Sequence, residues 1–121
     1  MTSLGIDDEV LRARGALWTA REIAQQPAML LKTHELLVAR HRELEAFLRP
    51  LLARSDLRVI LSGAGSSSFI GECLGPYLAN RLPCSVEAIA TTDIGSAPHI
   101  YLQPPTPTLL VPFAGSRNSP E

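Results

Sequence analysis

Cysteine is scarce in this sequence: 121 residues contain only two, Cys73 and Cys84. They form no CxxC pair or other metal-ligand spacing, so no metal site is expected and both thiols read as buried and reduced. Excess positive charge is also lacking. Eleven Lys and Arg stand against twelve Asp and Glu, for a net charge of −1, which gives no electrostatic footing for nucleic acid or an anionic membrane. No apolar run reaches membrane-spanning length, and the opening "MTSLGIDDEV" has neither the basic nor the apolar stretch of a signal peptide. Internal repeats and low-complexity tracts are absent as well. A cytoplasmic protein with no membrane or nucleic-acid partner is expected.

What is present is a 45% hydrophobic composition in a chain long enough for one small core. The pattern of apolar residues changes near residue 56. Before it they recur at helical spacing: Leu11, Leu17, Trp18 and Ile23, then Leu30, Leu37, Leu44, Leu48 and Leu51. Gln26-Pro27 interrupts the first series, and proline suits the opening turn of a helix. Helices are therefore expected over about residues 8–25 and 28–52. His34 and His41 lie seven apart on the second, among Arg40, Arg42, Glu43 and Glu45. That spacing matches no zinc motif and reads as a solvated face.

After residue 56 the period shortens. Leu57-Arg58-Val59-Ile60-Leu61 reads as a strand, and Phe69, Ile70, Cys73, Leu74, Tyr77 and Leu78 give one helical face with a kink expected at Gly75-Pro76. Ser85–Ala90 reads as a second strand, with Thr91-Thr92-Asp93 capping a short helix that runs toward Pro98. The proline-rich "LQPPTPT" leads to a third strand, Leu109–Phe113. Strand, helix, strand, short helix, strand is the grammar of a parallel α/β sheet.

Between the first strand and its helix lies "SGAGSSS", residues 62–68. A helix start after a strand offers unpaired backbone N–H groups and a dipole that favour an anion. Gly63 and Gly65 permit sharp or positive-φ geometry and close approach of a ligand. Ser66, Ser67 and Ser68 add hydroxyl donors, although one of the three is needed as a helix cap even without a ligand. Gly-Lys-Ser is missing, so a Walker A loop is rejected. Gly63-x-Gly65-x-x-Ser68 nearly matches a dinucleotide fingerprint, with Glu87 as the ribose-binding acid. However, Ser68 replaces the third glycine, and Glu87 falls inside the second strand instead of at its end. A phosphate monoester held by hydroxyls suits the serine-rich turn better.

"FAGSRNSPE" follows the third strand as the first turn follows the first, and supplies Gly115, Ser116, Asn118 and Ser119. In a sheet of order 2-1-3 the carboxyl ends of strands 1 and 3 flank the crevice where ligands bind. "LSGAGSSSF", "EAIATTDI" and "FAGSRNSPE", preceded by "TAREIAQQP", resemble the sugar isomerase (SIS) domain, and within it the tagatose-6-phosphate ketose/aldose isomerase family of amino-sugar catabolism. The resemblance spans about residues 15–121. It implies an α/β fold: an amino-terminal helical segment, 1–55, then the first half of a flavodoxin-like parallel sheet, 56–121. It further implies that Ser66, Ser67, Ser116 and Ser119 hold the phosphate of a sugar phosphate, that Gly63, Gly65 and Gly115 shape the loops, and that no cofactor is used. The implied chemistry is aldose–ketose isomerisation or amino-sugar-phosphate deamination in a homo-oligomer. A phosphosugar-sensing module without catalysis is the alternative, although no helix-turn-helix with basic recognition residues accompanies it.

Two departures accompany the resemblance. The family's second loop usually reads Arg-Ser-Gly-Asn-Ser, whereas here Gly115 and Arg117 have exchanged places. Ser119, Pro120 and Glu121 also form a helix start signal with no helix after it. The chain therefore reads as the amino-terminal part of the family's sequence and is expected to be inactive alone. No residue matches the family's catalytic carboxylate or histidine: Glu22, Glu72 and Glu87 are the nearest acids, Asp93 reads as a loop-ordering or capping residue, and His99 as a surface residue.

Overall fold

A computed structural model describes residues 1–103 and 105–115. They fall into two compact units, Met1–Glu45 and Ala46–Glu121.

The first unit opens with a hairpin of β1 (Thr2–Ser3) and β2 (Ile6–Asp7). Leu4 and Gly5 turn it with φ of 55° and 78°, the two positive values of the tight turn whose twist matches paired strands. Asp7 then caps α1 (Asp8–Ala13) by accepting from the Glu9 N–H at 2.7 Å. Asp8 is buried and accepts from the Ser3 hydroxyl at 2.8 Å and the Arg21 guanidinium at 3.0 Å. Those bonds, Ser3 first, hold its carboxyl below the usual carboxylate range.

The helix boundaries differ from the expected 8–25 and 28–52. The first break comes at Gly15, whose φ of +67° no right-handed helix can continue. Then α2 runs Leu17–Ala39 with Pro27 inside it. A proline within a helix forfeits one backbone hydrogen bond and crowds the preceding turn, and here neither effect ends the helix. The second break is Arg40, which separates α2 from α3 (His41–Leu52) and forks onto the Glu43 carboxylate at 3.0 and 2.9 Å.

In the second unit β3 (Arg58–Gly63), β4 (Ser85–Ala90) and β5 (Thr108–Phe113) form a parallel sheet of order β4-β3-β5. This is the α/β class and the 2-1-3 order read from the sequence. Between β3 and β4 lie a 3-10 turn, Gly65–Ser67, and α4 (Ser68–Ala79). Between β4 and β5 lie α5 (Thr91–Ser96) and α6 (Pro98–Tyr101). Ala90 stands at the N-cap of α5 with no side-chain cap bond, so Thr91, Thr92 and Asp93 form its first turn instead of its cap.

β3 is buried on both faces, as the central strand of a parallel sheet requires. Val59 and Leu61 point one way into a core shared with Leu57 and Cys84, and Ile60 and Ser62 alternate to the other face. The helix α4 meets this sheet unexpectedly. Of the apolar face read from the sequence, Leu78 packs on the core, whereas Phe69 and Tyr77 are 60% and 55% exposed. Gly71 and Gly75, one turn apart, are the buried positions instead. A Cβ on Gly71 would lie 3.1 Å from both the Cβ and the carbonyl oxygen of Leu61. Backbone proximity, not side-chain bulk, made this contact. Cys73 consequently faces outward while Cys84 is buried, which corrects the expectation of two buried thiols.

At the amino end of the sheet Arg58 forks onto Glu87, Nε to Oε1 and Nη2 to Oε2, both at 2.8 Å, and also donates to the Tyr101 carbonyl. The Arg58 bonds hold the Glu87 carboxyl below its ordinary range. A lowered folded-state value contributes stability that is present above the unfolded carboxylate's pKa, about 4.3, and is lost as pH falls through the folded value. Glu87 is partly exposed, so screening limits the pair to about 1 kcal/mol. Glu87→Gln is expected to lose that amount in urea unfolding at pH 7 and to match the unsubstituted protein in strong acid. A constant difference at both pH values would exclude the ion pair as its source.

Candidate functional site

The three strands end level. Gly63 is the register partner of both Ala90 and Phe113, so the segments that leave them emerge along one edge, at the carboxyl ends where open α/β sheets bind ligands.

The turn after β3 is built from two glycines with different duties. A Cβ on Gly63 would lie 2.7 Å from the carbonyl carbon and oxygen of Ser67, a backbone contact that nothing flexible relieves. Gly63 is therefore where the turn folds back on itself. Gly65 has open space around it but adopts φ +54°, which favours glycine. Ala64 between them is extended. At Gly115 neither feature is present: its φ is not positive and a Cβ would meet nothing within 4 Å.

The serines divide in the same way. The Ser68 hydroxyl donates to the Gly65 carbonyl at 2.8 Å, and the Ser67 N–H donates to the Ala64 carbonyl at 3.1 Å. Ser68 thus serves the turn itself. Ser67 stands at the N-cap of α4 without a side-chain cap bond. Ser66 is exposed and Ser67 half-buried, and neither hydroxyl is hydrogen-bonded among the described residues. Two hydroxyls without a partner among the described residues and the start of a twelve-residue helix make a donor set suited to an anion with several acceptor oxygens. Ser116 and Ser119, with Arg117 and Asn118, lie outside the described residues.

Glu87 is not available for either role the sequence suggested. It is the third residue of β4, away from the carboxyl edge, and both its oxygens are committed to Arg58, with Ser85 also donating at 3.2 Å. It can neither grip a ribose there nor serve as a base. Glu72 is exposed on α4, Asp93 is exposed in the first turn of α5, and His99 is exposed on α6. Glu22 belongs to the first unit and accepts from the Gln25 amide. His34 and His41 are exposed, and His41 faces Glu45 at 3.6 Å. No group of three metal-ligating side chains gathers among the described residues, and none of their helices is long and apolar enough to cross a membrane.

Two residues at this edge escaped the sequence reading. Gly71 sets how closely α4 lies on β3; the signal was a small residue at helical spacing from Gly75, masked by the bulkier residues beside it. Ser62, 1% exposed, donates its hydroxyl to the Ile89 carbonyl at 2.8 Å. The sequence placed Ser62 only as the first residue of the serine-rich turn.

No family model matches the chain. A D-galactosamine-6-phosphate deaminase AgaS from Shewanella sp. (strain ANA-3) is 46% identical over 123 residues, covering 99% of this chain and 32% of the relative. The protein of that name from Escherichia coli O157:H7 is 43% identical over 104 residues, covering 86% and 27%. Among solved structures, a Clostridium novyi NT protein assigned as a tagatose-6-phosphate ketose/aldose isomerase superposes with a TM-score of 0.91 at 38% identity, covering 99% of this chain and 31% of that one. Over nearly its whole length the chain resembles the amino-terminal part of this isomerase and deaminase family, the SIS family. The Escherichia coli tagatose-6-phosphate ketose/aldose isomerase agrees, with a TM-score of 0.80 at 41% identity over 89% of this chain and 29% of that one. The chain spans about a third of the length of these relatives, in keeping with the amino-terminal part of a SIS-family protein.

The contact at Gly63 generates a prediction. Gly63→Ala forces the Ser67 backbone outward and is expected to lower the unfolding free energy by about 1–3 kcal/mol. Gly65→Ala meets open space and is expected to cost only the left-handed φ, about 1–2 kcal/mol. Chemical denaturation of both variants checks this. An unchanged midpoint for Gly63→Ala would mean the turn has room that the geometry denies it.

Proposed function

We propose that this chain supplies phosphate-gripping elements of a sugar-phosphate isomerase or deaminase site, for a ketohexose or hexosamine 6-phosphate. The observation that carries the reading is the pair of uncommitted hydroxyls, Ser66 and Ser67, at the start of α4 and at the carboxyl edge of the sheet. Ser68 satisfies the local structural need, so the other two serines require another reason. Phosphate oxygens accept from hydroxyls and backbone N–H groups alike, and the helix dipole favours their charge. Ser116 and Ser119 join this set in the reading, as the residues after β5.

The names of the relatives support the sugar-phosphate class, and the committed state of Glu87 removes the dinucleotide alternative its acid. Within the chemistry, the role of this segment is to anchor the phosphate and so hold the open-chain sugar in register with an acid–base group. Asp56 is bound to Arg54 and Glu87 to Arg58, which leaves neither carboxylate free for proton transfer. The base is assigned to no residue of this chain.

Calorimetric titration tests the grip. Ser66→Ala and Ser67→Ala are each expected to weaken binding of galactosamine 6-phosphate by roughly 1–3 kcal/mol, the value of a hydrogen bond to a charged group. Unphosphorylated galactosamine is expected to bind far more weakly than the phosphate ester. Full affinity in both variants, or equal affinity for the two sugars, would remove this turn from the site.

A further inference from the structure

We infer that Ser62 is a positioning residue, whose buried hydroxyl locks the exits of β3 and β4 together and thereby holds the serine turn in its binding shape. Ser62 is the ladder partner of Ile89. Its hydroxyl adds a side-chain bond across that rung, donating to the Ile89 carbonyl at 2.8 Å. Each residue sits one position before the end of its strand. Gly63 follows on one side and opens the turn that carries Ser66 and Ser67; Ala90 follows on the other and stands at the N-cap of α5. The extra bond therefore acts one rung before the last, Gly63 with Ala90, from which both segments leave the sheet.

A core explanation does not account for the residue. Ser62 is 1% exposed and its strand neighbours Val59, Ile60 and Leu61 are apolar and buried. Burying a hydroxyl costs free energy that one hydrogen bond largely offsets, so alanine would serve the core about as well. What alanine lacks is the directional tie. Gly63 makes such a tie consequential, because it passes the Ser67 backbone so closely that an added Cβ would lie 2.7 Å from the Ser67 carbonyl. A small shift at the end of β3 passes directly to Ser67.

The inference rests on the phosphate-gripping reading, and the experiment separates the two. The full chain and its Ser62→Ala and Ser62→Thr variants are titrated with galactosamine 6-phosphate and with inorganic phosphate, and amide hydrogen exchange is followed in each. Ser62→Ala is expected to bind about three- to tenfold more weakly, the effect of one hydrogen bond, with Ser62→Thr within about twofold of the unsubstituted chain because it keeps the hydroxyl. Exchange at 64–67 and 91–93 is expected to quicken together in Ser62→Ala alone. Unchanged affinity in Ser62→Ala overturns the inference, and so does equal weakening in both variants, which would point to packing instead of the hydroxyl. If the unsubstituted chain binds neither ligand, the phosphate reading fails. Exchange then decides: joint quickening of both segments sustains the tie, and its absence overturns it.

Discussion

How closely α4 lies against β3 governs everything at the carboxyl edge of the sheet. That distance is set where Gly71 crosses Leu61, with no side chain on the helix to hold the two backbones apart. A Cβ at 71 would lie 3.1 Å from Leu61, so helix or strand would have to give by a few tenths of an ångström. Ser67 stands at the N-cap of α4 and Ser68 opens it, and Gly63 passes close to the Ser67 backbone from the strand side. The serine turn is thus held between two glycine contacts, one on the strand and one on the helix. Close-packed interiors transmit such displacements instead of absorbing them.

The sheet uses polar side chains at its two ends for different purposes. At the amino end Arg58 and Glu87 tie β3 to β4 through an ion pair, and Arg58 reaches on to the Tyr101 carbonyl. This joins the central strand to its neighbour and to the helical connection that precedes β5. At the carboxyl end the tie is a neutral hydroxyl, Ser62 to Ile89. A charged pair there would place a carboxylate beside the proposed phosphate-gripping turn and oppose an anion. The ion pair thus stands at the opposite end of the strands from the serine turn, where its carboxylate does not oppose the proposed anion.

Much of this was readable before any coordinates. The three strands, their 2-1-3 order and the strand–turn–helix setting of "SGAGSSS" follow from short apolar runs broken by glycine, because a parallel sheet leaves few other arrangements. The errors have physical causes. Pro27 read as a boundary and is internal to α2, since proline removes one hydrogen bond while twenty-three residues supply the rest. Gly15 was the true boundary, through a positive φ that composition does not reveal. On α4 the apolar stripe of Phe69, Ile70, Leu74 and Tyr77 drew attention from Gly71 and Gly75, because hydrophobic periodicity scores bulk and is blind to contacts made by its absence. Glu87, set aside as a ribose-binding acid because it falls inside the second strand, is indeed there and is spent on Arg58, a partner that its sequence position does not reveal.

The division of labour among the serines is the point at which local structure and function separate. Four serines lie within seven residues, 62 to 68, and each meets a different environment. Ser62 is buried and bonded across the sheet; Ser68 is bonded back to Gly65 and closes the turn. A fold that needed only a strand end and a helix start would be satisfied with those two. Ser66 and Ser67 keep hydroxyls that the turn does not use, at the position where helix and strand ends concentrate unpaired donors. A serine costs helix stability when its hydroxyl competes for the backbone, so two uncommitted ones at a helix start are more economically explained by a ligand than by the fold. The glycine spacing imitates a dinucleotide fingerprint because both turns need close backbone approach where a strand passes into a helix. Here the uncommitted groups are hydroxyls, and the third close glycine contact lies at Gly71, within the helix.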